Sequence, residues 1–225
     1  YKEAAKAQEF LAKRVDKDKF LETYFEAGDY WTKFNAFRGL EFYTNFAKKY
    51  PKDDPEKVIL AHYNRLQIYK KLGNKDREIK REWDVILEKY NAFKEEGAEL
   101  TPQMNRVGAL ATLRSIDSEI AKISDIQYLK ATAKNEVKNV QIFQNDVGKA
   151  TEEVALYCNA LKDFGVTEAM IAHYYCLGQA LYEQSKKARA LPIPKEGLSE
   201  RIQAIYEEKY AVEIEKLSAP IEDAS

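Results

Sequence analysis

Histidine is almost missing from this chain: His62 and His173 are the only two in 225 residues. They fall in separate segments, and neither has a histidine or carboxylate three or four positions away, so no metal-binding helix pair of that kind is read from them. Glycine and proline are also scarce, at 9 and 6 residues, which disfavours loop-rich architectures and suits long helices built on Ala, Leu, Glu and Lys. No apolar run approaches the roughly 20 residues needed to cross a bilayer, so no membrane insertion is expected. The net charge is only -1, which gives no electrostatic case for nucleic acid. Gly-x-Ser-x-Gly and Gly-x4-Gly-Lys are both absent, removing the simplest nucleophile and phosphate-loop chemistries. With 37 acidic residues interleaved among the basic ones, as in Lys75-Asp76-Arg77-Glu78, the charges read as a solvated helix surface. No catalytic pair stands out. The expectation is a non-enzyme with no cofactor and no metal.

Cys158 and Cys176 are too few for a disulfide framework. In a helical hairpin turning near Gly165 they would lie at similar heights. They fit either two small buried apolar side chains or a bridge made in an oxidising compartment. The chain begins at Tyr1 without an initiator Met, which suggests a processed form or a fragment of a longer protein.

What the chain does have is helical periodicity. Apolar residues spaced three to five apart predict helices over 4–27 and 30–50, the second ending at Tyr50-Pro51. Asp54-Pro55 is a capped start for a helix over 55–72. Gly73-Asn74 turns the chain into a helix over 75–94. Thr101-Pro102 opens another that runs to about Ile123. Ser124-Asp125-Ile126-Gln127 has the form of a capping box, and without a proline over 125–164 one very long helix is expected there, with Gly148 its weakest point. Thr167-Glu168 should cap a helix over 167–190. Pro192 and Pro194 then make a stiff link, Ser199 opens a last helix, and Pro220 ends or kinks it. No strand is expected. The last helix has an apolar face, Ile202, Ile205, Tyr206, Tyr210, Ile214 and Leu217. Its acidic polar face suits packing or a partner helix better than anionic lipid.

Two phrases repeat: Leu21-x2-Tyr24-x3-Gly28-Asp29 and Leu66-x2-Tyr69-x3-Gly73-Asn74. They resemble tetratricopeptide repeats, whose first helix carries Leu and Tyr before a Gly-Asp turn. Residues 11–94 match two such units, and Tyr174-x2-Leu177-Gly178 is a partial third. The 45-residue step from Gly28 to Gly73 exceeds the family period of about 34. Lys33 and Glu78 stand where a small residue is usual, so the units are divergent. Farther on, Tyr157, Leu161-x2-Phe164-Gly165, Ala172, Leu177-Gly178 and Tyr182 come first. Pro192-Ile193-Pro194, Gly197-Leu198-Ser199-Glu200, Tyr206 and Ala219-Pro220 follow. That order resembles the C-terminal region of large repeat proteins of gliding and predatory gram-negative bacteria, some of them associated with gliding-motility or envelope complexes.

The resemblance implies an all-α, tetratricopeptide-like array of helical hairpins (an α-α superhelix) over residues 1–100, continued by long antiparallel helices over 101–225. It implies a scaffold that binds a protein or peptide in a groove, in the periplasm, with the cytoplasm as the alternative compartment. In such arrays the groove is lined by the first helix of each hairpin. Taking Gly73 as the turn puts Tyr63, Asn64, Gln67 and Lys70 there; taking Gly28 puts Asp18, Lys19, Glu22 and Phe25 there. Asn64 would hydrogen-bond a bound peptide's backbone, with Tyr63 stacking beside it. The groove could equally be filled by the protein's own later helices. The 15 Tyr and 10 Phe are mostly core on this reading. A different class of function, a carrier holding a small molecule or lipid between the long helices, would need an apolar cavity lined by those rings.

Overall fold

The structure, a computed structural model, describes residues 1–128, 136–191, 200–201, 204–205, 207–209 and 212. The expected link at Pro192 and Pro194, the start at Ser199, the stop at Pro220 and the side chain of Asp18 lie outside the described residues. Among the described residues the fold is all-helical, without a strand. Two compact units divide the chain, Tyr1–Thr112 and Leu113–Ser225.

The first unit holds α1 (Lys2–Ala12), α2 (Lys17–Phe34), α3 (Ala36–Lys49), α4 (Pro55–Leu72), α5 (Asp76–Glu95) and the start of α6 (Pro102–Asp125). From α1 to α5 each helix packs on its neighbour in sequence. Local chemistry sets most of the boundaries. Asp54 accepts from the Lys57 amide at 3.0 Å and Thr101 from the Met104 amide at 3.2 Å, so both expected caps form ahead of a proline. Tyr50 leaves the helix before Pro51 (φ -124, ψ 52).

The first repeat phrase does not make a turn. The helix expected over 4–27 breaks after Ala12, restarts at Lys17 and runs through Gly28 and Asp29 to Phe34. Asn35 is the true boundary, its side chain accepting from the amides of Phe37 at 2.9 Å and Arg38 at 3.2 Å. Gly28 is there for space: a β-carbon on it would lie 2.6 Å from Tyr43 Cε1 and 2.8 Å from Phe42 Cδ1. A β-carbon on Gly39 would likewise meet the Thr32 backbone at 2.9 Å. These two glycines let α2 and α3 approach closely, and an aromatic cluster fills the contact. Phe42, Tyr43 and Phe46 are buried against Ala27, Ala61 and Ile68, with Tyr24 and Phe25 packed on them. The Phe25 and Phe46 rings meet edge to face at 4.9 Å, a geometry worth about 0.5–1.5 kcal/mol beyond area burial. The second phrase behaves as expected. Gly73 (φ 69) and Asn74 (φ 51) take positive φ between α4 and α5, a conformation glycine adopts without a β-carbon penalty.

The second unit holds the rest of α6, then α7 (Glu136–Ala160), a 3-10 turn over Leu161–Phe164, and α8 (Thr167–Arg189). The single helix expected over 125–164 is not formed, and the capping-box tetrad sits at a helix end instead. Ser124 hydroxyl donates to Glu183 at 2.6 Å, and Lys187 Nζ donates to the Ile126 carbonyl at 2.8 Å. Both partners lie on α8, so this contact closes the C-terminal end of α6 with a cation, as helix ends favour. Tyr128 then packs edge to face on Phe143 of α7 at 5.8 Å. Helix α8 starts where expected, but the capping position is Val166, in extended backbone and without a side-chain cap bond.

Candidate functional site: a tyrosine stripe on α8

Gly165 (φ 65) turns the chain from α7 into α8. The two helices pack on each other through small side chains: Ala169, Ala172, Cys176 and Ala180 on α8 are all nearly inaccessible, as are Val154 and Cys158 on α7. Cys158 and Cys176 form a disulfide across this contact, with Cα atoms 5.8 Å apart. The ring of His173 is buried beside it, with Nδ1 2.9 Å from the Cys158 carbonyl oxygen. Thus the second histidine orders the hairpin.

Because the small residues take the inside of α8, the large ones face out. Ile171, Tyr174, Tyr175 and Tyr182 are 65%, 66%, 56% and 56% exposed. Positions 171, 175, 178 and 182 recur at helical spacing and form one stripe, opposite Ala172, Cys176 and Ala180. At its centre Gly178 has nothing within 4 Å of where a β-carbon would be, which leaves a notch between Tyr175 and Tyr182. The Tyr174 ring is braced edge to face by His173 at 5.0 Å. Exposed tyrosines of this density, rigid and amphipathic, are the composition of protein-binding surfaces. The sequence pattern placed Tyr174 at the opening of a partial repeat and most aromatics in the core. The signal that separates them is the parallel run of Ala and Cys at the same spacing. Two stripes compete for the inside of α8, and the smaller one holds it.

The groove residues expected on α2 and α4 are placed in more than one setting. Tyr63 lies 6.1 Å from the Trp83 ring of α5, and Lys70 Nζ sits 5.5 Å from the same ring, so these two come together on α5. Asn64 instead lies beside the Tyr43 hydroxyl of α3. That hydroxyl donates to Asp29 at 2.8 Å. Burial pushes the Tyr43 phenol far above the ordinary tyrosine range, and the Asp29 charge adds to it. Phe25 packs on Tyr43 and Phe46 within the core. Gln67 is half-buried, while Glu22 and Lys19 are exposed.

A buried charged cluster that the sequence reading did not single out lies between α4 and α5. Glu82, 4% exposed, has Oε2 2.9 Å from His62 Nδ1 and Oε1 2.8 Å from Arg65 Nη2. Among the described residues Arg65 Nε is buried without a hydrogen-bond partner. The cluster joins two helices. Among the described residues no group of three or more His, Cys, Asp or Glu could hold a metal ion, and no helix is long and apolar enough to cross a membrane.

Compared with protein-family models, curated proteins and solved structures, the chain matches none of them.

Proposed function

We propose that this protein is a non-catalytic helical scaffold that binds another protein through the exposed tyrosine stripe of α8. The observation that carries the reading is the inverted α8, with alanine and cysteine inside and Ile171, Tyr174, Tyr175 and Tyr182 outside. Leaving these rings in water forgoes roughly 1.5–3 kcal/mol of burial for each large side chain, and a partner surface recovers it. Tyr is also among the residues that dominate interface energetics.

The neighbour-on-neighbour packing of α1 to α5 supports a tetratricopeptide-like array in the first unit. The hairpin of α4 and α5, turning at Gly73, is the part that keeps the repeat's form. The Cys158–Cys176 bridge favours an oxidising compartment, in line with a periplasmic, envelope-associated scaffold of the motility-complex type.

Site-specific photo-crosslinking tests the interface. A photoreactive phenylalanine placed at Tyr174 or Tyr182 in native cells should give one discrete adduct, and Ile171→Glu should abolish it. The same probe at Lys149, exposed on α7, should give none. Absence of an adduct at both Tyr174 and Tyr182, or an equal one at Lys149, would overturn the proposal.

A further inference from the structure

The first unit contains a half-open cleft of about 190 Å³ between α1, α2 and α3, lined by Glu9, Tyr24, Trp31, Arg38, Glu41, Phe42 and Asn45. Its wall is aromatic. Phe42 is buried and meets Tyr24 at 5.1 Å with the ring planes inclined by 43°, and the Trp31 ring adds a third surface. The Trp31 indole N–H donates to Glu9 Oε1 at 2.6 Å, which pins a carboxylate at the edge of the rings and leaves its second oxygen without a hydrogen-bond donor among the described residues. The cleft's one cation is already engaged: Arg38 Nη1 lies 2.8 Å from Glu41 Oε2. Among the described residues Glu9 pairs with no cation.

We propose that this cleft binds an ammonium group, supplied by a lysine side chain of a peptide or by a small quaternary amine. Tyr24, Trp31 and Phe42 line the cleft with aromatic surface, whose ring quadrupoles attract cations, and a partly desolvated carboxylate that pairs with no cation among the described residues favours a cation over a neutral or anionic guest. Elsewhere this chain places its own cations over rings, as with Arg14 on Phe10 at 3.6 Å and Lys33 on Tyr30 at 5.6 Å. Among the described residues none occupies the faces of Tyr24, Trp31 or Phe42. The volume suits a headgroup of a few heavy atoms. The Tyr24 phenol is held above its ordinary range, by burial first and by the Glu9 charge second, so the field of Glu9 does reach into the cleft.

The test is an NMR titration of the two tryptophan indole N–H resonances in the whole chain, with Trp83 as internal reference. The probes are choline, N-acetyl-lysine amide, and 3,3-dimethylbutan-1-ol as the neutral shape analogue of choline. The expected result is a saturable shift of the Trp31 resonance with at least one ammonium probe and none with the alcohol. Saturation by choline alone assigns the site to a quaternary amine, and by the lysine derivative alone to a peptide side chain. Glu9→Gln keeps an oxygen to accept the Trp31 N–H, so the fold is retained, as an unmoved Trp83 resonance will report, and affinity should fall about tenfold. The proposal fails if neither ammonium probe shifts Trp31, if the alcohol shifts it equally, or if Glu9→Gln binds as tightly as wild type.

Discussion

Gly28 and Tyr43 meet where no β-carbon would fit: one built on Gly28 would stand 2.6 Å from Tyr43 Cε1 and 2.7 Å from Cζ. Tyr43 is itself 1% exposed and bonded to Asp29, so its ring has little room to yield. Gly28→Ala gains up to about 1 kcal/mol of helix propensity and loses roughly 1–3 kcal/mol to overpacking. Net destabilisation is expected in urea unfolding. Gly148→Ala, inside α7 with open space around it, should instead stabilise by up to about 1 kcal/mol. The opposite signs separate a packing glycine from an idle one.

Glu82 is held between His62 and Arg65 in the interior. Removing one partner from a buried ionic cluster leaves an uncompensated charge, at a cost of roughly 3–5 kcal/mol. Glu82→Ala should fall in that range by chemical denaturation. A double variant, Glu82→Leu with Arg65→Met, should recover much of the loss. If Glu82→Ala costs less than about 1 kcal/mol, the cluster is not contributing as the geometry implies.

Tyr43 makes stability sensitive to alkali. Its phenol stays protonated in the folded chain well beyond the ordinary range, whereas in the unfolded chain tyrosine ionises near 10. The contribution is therefore fully present below about pH 10, and it declines as pH rises above that because the unfolded state releases its proton first. Tyr24 and Tyr90 are shifted the same way, chiefly by burial. Unfolding free energy measured from pH 8 to 11 should drop, and Tyr43→Phe should flatten part of that slope while losing about 1 kcal/mol at neutral pH.

The disulfide spans a sequence separation of 18, for which chain-entropy arguments give about 3 kcal/mol. Reduction, or Cys158→Ser with Cys176→Ser, should lower the melting temperature of α7 and α8 by circular dichroism. Amide exchange in those helices should quicken more than in α3 and α4.

The α8 stripe should be dispensable for folding. Exposed substitutions away from caps and buried networks usually change stability by less than about 0.5 kcal/mol. Tyr182→Ser and Ile171→Glu should therefore melt like wild type while losing the crosslinked partner. A large stability loss would mean the stripe is covered within the protein itself.

Much of the helix map was legible in residues whose effect is local. Pro55 and Pro102 permit a helix only from their own position, Asp54 and Thr101 reach amides three residues away, and Gly73-Asn74 takes backbone that few other pairs tolerate. These choices are made within one turn of chain, so periodicity and caps locate α4, α5 and the starts of α6 and α8. The candidate site was legible only as composition, a chain rich in tyrosine with paired rings at 174 and 175.

Other features were settled by residues far apart in sequence. Gly28 looks the same on paper as Gly73, yet Tyr43 and Phe42 press against it and keep it inside a helix. Lys187 and Glu183, some sixty positions away, hold the end of α6 where local pattern alone would open the next helix at once. On α8 the alanines and Cys176 lie inward because the bridge to Cys158 and the close approach of α7 leave room for small side chains and the single ring of His173, and that sends the tyrosines outward. Hydrophobic spacing tells which residues share a side of a helix; which side is buried depends on the shape of the neighbour it meets.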